Sequence, residues 1–294
     1  MRPKRDKSAF FILIPGILLV LNIFSWNVVR DLNKPRFLEV NFLNVGQGDA
    51  VFIESPKRQQ ILIDGGPDSA VLEKLAKKMP FWDRTIDLII LSHPEKDHLT
   101  GLLDVLKRYK VENILWTGVV RDTPEYKEWT ELIKKEGAQI RIAKAGQKIE
   151  LSSNPDNLIY FNIFNPNSDL SGQDFKDSND TSIVADIVFN DVSFLFTGDI
   201  SSALEKKLVL VGLPLESNVL KVSHHGSKYS TADYFLESVS PDIAVIEVGK
   251  NSYGHPTEEV LERLKNFGIK TLRTDLDGDI KITTNGKKYE ISDF

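Results

Sequence analysis

All five histidines of this chain sit in three short clusters that also hold carboxylates, glycines or hydroxyls. His93 and His98 lie in Ser92-His93-Pro94-Glu95-Lys96-Asp97-His98, His224 and His225 in Ser223-His224-His225-Gly226-Ser227, and His255 in Tyr253-Gly254-His255-Pro256. Histidines used for packing or surface polarity would be scattered. Histidines kept beside Asp, Glu and Gly have the makings of metal ligands and proton carriers. The pattern points to a metal-dependent enzyme.

The clusters differ in what they offer. His93, Glu95, Asp97 and His98 bring four donor side chains to one turn, and their spacing lets one loop serve two cations. A polar turn with a helix N-cap would explain Asp97 but not two histidines. Asp199 in Thr197-Gly198-Asp199 is an ordinary N-cap by itself; beside the first cluster it becomes a candidate bridging carboxylate. Of His224 and His225, one is expected to face a metal while the other packs or bonds locally. Ser227 and the backbone of Gly226 could hold an anionic oxygen. His255 precedes a helix whose N-terminus favours anions, so it is read as a substrate-phosphate donor, a general acid or a surface loop residue. The glycines of Asn44-Val45-Gly46-Gln47-Gly48-Asp49 and Asp64-Gly65-Gly66 read as tight-turn geometry, with Gln47, Asp49 and Asp64 lining or bracing the site. The first of these joins strand to strand, so it is not a dinucleotide fingerprint.

These residues need elements to carry them. Phe37–Leu43 and Ala50–Glu54 alternate like strands, Gln60–Ile63 leads into Asp64, and Ile86–Leu91 is an apolar run, broken by Asp87 alone, fit for a strand buried on both faces. Helices are expected at Ser69–Met79, Leu99–Tyr109 and Pro124–Glu136, the last with Thr123 as N-cap and Gly137 as stop. The polar stretch from Asn165 to Asp180 reads as a loop. Ser182–Phe189 and Val192–Phe196 form a hairpin around Asn190-Asp191. Strands then alternate with helices to the C-terminus. The order implies two mixed sheets packed face to face with helices outside, an α+β fold of four layers, αβ/βα. Every reactive cluster falls just after a strand, the edge where such proteins place sites.

Residues 1–36 differ from the rest. Arg2, Lys4, Arg5 and Lys7 precede an apolar run from Ala9 to Val29, long enough to span a bilayer as a helix, with Trp26 placed as an interfacial anchor. The expectation is an uncleaved transmembrane anchor with a cytoplasmic N-terminus, and residues 37–294 as an extracytoplasmic domain at the cell membrane. No cysteine is present, so thiolate ligation is excluded. Residues 1–36 carry a net charge of +5 and the whole chain −5, which leaves −10 on residues 37–294. So acidic a body is a poor general binder of nucleic acid.

The spaced motifs from Asn44 to Asp49, Asp64-Gly65-Gly66, residues 93–98, Asn179-Asp180-Thr181-Ser182, Thr197-Gly198-Asp199 and Ser223 to Ser227 resemble the metallo-β-lactamase superfamily. More narrowly, they look like the β-lactamase-like domain of the ComEC competence proteins. The superfamily pattern His-x-His-x-Asp-His has Glu95 in place of its second histidine here, and its third motif offers Asn179 or Asp180 instead of His. The resemblance implies two divalent cations. One would be held by His93, Glu95, Asp199 and Asn179, and the other by Asp97, His98, Asp199 and a later histidine, assigned to His224. It leaves Asp97, His225 and His255 for catalysis, and Gly226, Ser227, Gln47 and Asp49 for substrate. The oxygen-rich first set favours Mn2+, with Zn2+ as the alternative. The implied activity is hydrolysis of a phosphodiester, with DNA during uptake as substrate and a separate DNA-uptake channel protein as partner. Many membrane spans and an OB-like domain mark the channel proper, so a detached enzymatic domain on its own anchor is expected. Two other readings stand beside it: hydrolysis of a small phosphoester, lactone or cell-envelope ester, and a catalytically silent binding module.

Overall fold

The computed structural model describes residues 7–32, 37–154 and 157–292. The chain divides into two compact units, Met1–Arg36 and Phe37–Phe294. In the first, helix α1 spans Lys7–Leu32 and exposes Leu19, Val20, Phe24 and Trp26. The run expected to cross a bilayer is thus helical. Among the described residues, however, no helix is long and apolar enough to cross a membrane. Pro15, Gly16, Asn22 and Ser25 interrupt its apolar sequence, and Asn22 turns its amide back onto the Leu18 carbonyl. Arg2, Lys4, Arg5, Lys34 and Arg36, which carry most of the expected basic flanks, lie outside the described residues.

The second unit alternates strands and helices as its hydrophobic pattern demands. Strands β1 (Leu38–Phe42), β2 (Val51–Glu54), β3 (Gln60–Ile63), β4 (Thr85–Leu91), β5 (Lys110–Trp116) and β6 (Gln139–Ile142) build one sheet. Strands β7 (Lys148–Ser152), β8 (Ile159–Asn165), β9 (Val184–Phe189), β10 (Val192–Phe196), β11 (Val219–Lys221), β12 (Ile243–Ile246) and β13 (Lys270–Arg273) build the other. The chain then returns to the first sheet with β14 (Ile280–Thr284) and β15 (Tyr289–Ser292), giving the order β15-β14-β1-β2-β3-β4-β5-β6. The second sheet runs β13-β12-β11-β10-β9-β8-β7. Helices α2 (Ala70–Lys78), α3 (Lys96–Leu106) and α4 (Pro124–Glu136) follow strands of the first sheet, and α5 (Ser202–Leu210), α6 (Asp233–Val239) and α7 (Glu258–Asn266) those of the second. A last turn, α8, spans Thr274–Asp277.

Side-chain alternation sorts the strands into layers. Ile61, Ile63, Leu88 and Ile90 join Phe194, Phe196, Val219 and Val245 in one buried core between the sheets. Their neighbours Leu62, Ile89 and Leu91 pack instead on Leu99, Leu102 and Trp129 of the first helical layer. Leu195, Leu220 and Ala244 pack on Leu204, Phe235 and Val260 of the second. Three stacked cores make the αβ/βα sandwich. Full burial of each large aliphatic side chain is worth about 1.5–3 kcal/mol.

Two expectations shift in detail. Helix α3 starts at Lys96 rather than Leu99, because Glu95 takes the extended N-cap conformation straight after Pro94. Asp97 and His98 therefore project from a helical first turn and not from a free loop. Edge strands β6 and β7 escape the sequence pattern because mostly exposed, polar residues form them. Thr123 does cap α4 by accepting from Tyr126 N, and Gly137 ends it in the left-handed conformation.

Candidate metal centre and its cleft

The β4–α3 turn, the end of β10 and the end of β11 meet at one edge of the two sheets. Asp97, His98, Asp199 and His225 each offer a donor atom there, all within 4.8 Å of one another. Asp199 Oδ2 lies 3.4 Å from His98 Nε2 and 3.3 Å from His225 Nε2. Asp97 Oδ2 lies 3.2 Å from His225 Nε2. His98, Asp199 and His225 are buried and Asp97 is half-buried.

Both imidazoles are aimed from behind. His98 Nδ1 meets Asp64 Oδ2 at 2.8 Å, and His225 Nδ1 meets the Glu247 carbonyl oxygen at 2.8 Å. A carbonyl can only accept, so His225 Nδ1 carries a proton and Nε2 is the nitrogen turned to the cluster. Burial opposes a charge on His98 and His225, but the carboxylates of Asp199 and Asp49 outweigh it and push both imidazoles well above their ordinary value. That same field favours a divalent cation, whose binding would displace the protons. Burial would raise Asp199, yet the charges on His225, His98 and Lys221 hold it well below the usual carboxylate range. Asp97 is likewise lowered: His98 and His225 overcome its burial.

Beneath the cluster lies a buried ion network. Lys221, 2% exposed, pairs with Asp49 and stands 3.5 Å from Asp199 Oδ1. Its ammonium also donates to the Gly198 carbonyl at 3.0 Å. Burial works against the Lys221 charge, but Asp49, Asp199 and Glu247 raise its pKa beyond the ordinary lysine value. Glu247 accepts from Ala50 N at 2.9 Å, and burial, reinforced by Asp49, pushes its carboxyl well up. His224 and His225 both adopt left-handed backbone angles, with φ of 50° and 52°. Two such non-glycine residues in succession cost of order 1–3 kcal/mol each and persist only where surroundings demand them.

A profile of the metallo-beta-lactamase superfamily matches residues 43–249. The chain belongs to the metallo-beta-lactamase superfamily. ComE operon protein 3 of Bacillus subtilis is 30% identical over 261 residues, spanning 83% of this chain and 32% of that protein. Competence protein ComA of Neisseria gonorrhoeae is 32% identical over 245 residues, 82% of this chain and 32% of its own length. Recombination protein 2 of Haemophilus influenzae is 29% identical over 282 residues, 93% of this chain and 32% of its own. The chain therefore matches about a third of each of these ComEC-type relatives.

The superfamily and the His/Asp cluster together point to divalent metal ions. The test is the state of the donor atoms. His98 Nε2 is buried without a hydrogen-bond partner, and the four-donor group fits a cation. His93 has its own orphan: Nδ1 lies 3.0 Å from Ser92 Oγ, which itself donates to Asp64 Oδ2 at 2.6 Å, so Nδ1 carries the proton and Nε2 is a bare buried lone pair. Burial, followed by the charge on His98, lowers His93 to about 3 and keeps it neutral.

The rest of the set expected with His93, namely Glu95 and Asn179, is not assembled around it. Glu95 turns its carboxylate to Arg121, at 2.8 Å, and to the Ser178 hydroxyl. Asn179 lines the cleft above the centre but stands outside the donor group; its carbonyl accepts from Ser182 Oγ, which accepts in turn from Asp199 N. Asp180, the other residue of that motif, accepts from Ser201 N and Oγ ahead of α5. The histidine pair is placed the other way round from expectation. His225 joins the donors, whereas His224 is half-exposed with Nε2 4.0 Å from Asp199 Oδ2.

Above the donors opens a cleft of about 510 Å³, lined among others by Gln47, Arg121, Lys176, His224, Tyr253 and His255. Of the expected substrate contacts, Gln47 reaches it. Asp49 does not: it is buried on Lys221. Gly226 and Ser227 are also buried, the former packed under Pro256 and accepting from Thr257 N, the latter turned to Tyr229 N. They brace the histidine turn. The residues missed from sequence, Lys221 and Glu247, each leave a signal: a single charge inside an apolar strand run, Val219-Leu220-Lys221-Val222 and Ile246-Glu247-Val248. Such a charge is buried only with a partner.

Proposed function

We propose that this chain is a metal-dependent hydrolase of phosphodiester bonds, acting on DNA in a ComEC-like uptake system. The observation that carries the reading is the group Asp97, His98, Asp199 and His225, buried, oriented from behind and open to a cleft on one side only. The names of the competence and recombination relatives support DNA as the substrate. A cation held by these residues would supply Lewis acidity at a phosphoryl oxygen and make a water acidic enough to attack. Two imidazoles and two carboxylates without thiolate are donors that either Mn2+ or Zn2+ accepts.

The chain's own residues do the rest. Asp64 and the Glu247 carbonyl hold His98 and His225 in the tautomer that faces the centre. Lys221 takes up one oxygen of Asp199 and leaves the other for the donor group. As the attacking oxygen bonds to phosphorus, the bond to the leaving oxygen breaks and that oxygen needs a proton. His224 stands at the cleft wall beside Asp199 to deliver it, with its ring edge-on to His255 at 5.4 Å. Burial and the neighbouring His224 charge lower His255 and keep it neutral, which suits it to bracing and hydrogen bonding rather than to charge. The exposed apolar side chains of α1 support membrane attachment, and the basic residues Arg2, Lys4, Arg5 and Lys7 ahead of the apolar run are the ground for placing residues 37–294 outside the cytoplasm.

The test loads the purified full chain with Mn2+, Zn2+ or Mg2+ and supplies single-stranded DNA and a simple phosphodiester. Hydrolysis that Asp97→Ala abolishes supports the reading. An absence of both metal uptake and hydrolysis under every condition rejects it. Membrane attachment is read separately, by fractionation of cells making the chain with and without residues 1–36.

A further inference from the structure

The cleft raises a problem of affinity. The second unit carries a net charge of −10, which weakens its general attraction for phosphates. Contacts that do not depend on charge would add to the binding. At the rim stands Tyr253, 73% exposed, on a cleft wall. A large ring left in water forfeits the burial that usually fixes aromatic side chains. Yet its loop is tightly held. Asn251 Oδ1 accepts from Tyr253 N at 3.0 Å and from His255 N at 3.1 Å, while its amide donates to the carbonyls of Gly249 at 2.9 Å and His255 at 2.8 Å. One side chain thus makes four hydrogen bonds that fix the loop backbone that carries Tyr253.

The ring is also the first of a series. Tyr253 and His255 lie 5.8 Å apart and only 31° from parallel, and His255 meets His224 at 5.4 Å. His224 Nε2 is in turn 4.0 Å from Asp199. Three rings therefore lead from the rim to the metal centre. Lys176, which lines the same cleft, puts a cation within reach of a backbone that passes there.

Resting on the phosphodiesterase reading above, we propose that Tyr253 is a base-stacking residue, which holds a nucleobase of a single-stranded substrate at the cleft rim and so sets the adjoining phosphodiester over the four-donor group. Base–aromatic stacking tolerates any sequence and does not depend on net charge, which fits an acidic protein that acts on arbitrary strands. It also requires unpaired bases, so duplex DNA is a poor substrate.

The experiment compares a thymidine oligonucleotide with an abasic phosphodiester strand of equal length, using the Mn2+-loaded full chain. The Tyr253→Ala variant should raise KM for the thymidine strand about tenfold or more, the size of one base stack, and leave the abasic strand unchanged. Tyr253→Phe should restore the difference. Quenching of a 2-aminopurine base in the bound strand gives a readout independent of turnover: it should be lost in Tyr253→Ala and kept in Tyr253→Phe. Equal losses on both strands, or unchanged KM and quenching in Tyr253→Ala, overturn the stacking role. Should the wild-type chain cleave neither strand, the hydrolase reading fails by itself, and the quenching comparison still decides the stacking.

Discussion

His224 and His225 share a turn but differ in what holds them. His225 is buried, pinned at Nδ1 by a carbonyl and surrounded by carboxylates. His224 is half-exposed and reaches Asp199 only at 4.0 Å. Calorimetry with Mn2+ should therefore show His225→Ala losing tight binding while His224→Ala keeps it and loses turnover instead. The reverse pattern would restore the assignment that sequence alone favours. Asp64 stands behind His98 and orients it, and such outer partners are worth about 10–100-fold in metal affinity, so Asp64→Asn should fall in that range. Lys221 provides a stability test. In Lys221→Met the Asp49 carboxylate would stay buried without its partner. Removing one member of a buried pair costs about 3–5 kcal/mol, and urea unfolding with a chelator present should show that loss. A change below about 1 kcal/mol would mean that the network contributes little.

At the scale of elements, the centre depends on how closely α3 lies on the turn after β3. Gly65 N donates to His98 O at 2.8 Å, and Gly101 N donates to Gly66 O at 3.0 Å. A Cβ on Gly101 would collide with the Gly65 carbonyl oxygen. Gly101→Ala should consequently destabilise the fold by about 1–3 kcal/mol and, by lifting the first turn of α3, also weaken cation binding through Asp97 and His98. Stability loss without any weaker binding would show that α3 tolerates the shift. This docking was only half legible in sequence. Asp64-Gly65-Gly66 reads as a turn that needs positive φ, and Gly66 has it, at 76°. Gly65 is required for a different reason, the backbone of α3 against it, and no periodicity reports a contact between segments so far apart. The helix start differs from the sequence pattern for a local reason: Pro94 and an extended Glu95 let α3 begin early enough to put Asp97 and His98 on one turn.

At the scale of the whole molecule, the two sheets were legible because buried strands such as β12 and the Leu88–Leu91 end of β4 are continuous apolar runs and the helices between them keep a regular stripe. The choice of partner within the site was not, because Glu95 finds Arg121 and Asp49 finds Lys221 across long stretches of chain. The same long-range burial gives the fold a pH dependence away from the metal centre. Asp186 on β9 faces Asn162 on β8, whose backbone and side-chain amides donate to it at 3.2 and 2.9 Å. Burial outweighs these bonds and pushes its carboxyl up to about 6. A carboxyl raised in the folded state binds a proton there more tightly than in the unfolded chain. Its stabilising proton is fully present below the unfolded value near 3.8 and is lost as pH rises through about 6. The stability contribution across that window is about 2–3 kcal/mol. Asp186→Asn keeps an oxygen for Asn162 and removes the titration. In chelator, so that the centre is the same in both proteins, the stability of the wild type relative to Asp186→Asn should decline between pH 4 and 6.5 and then level off. Parallel curves for the two would show that Asp186 titrates as it does in the unfolded chain.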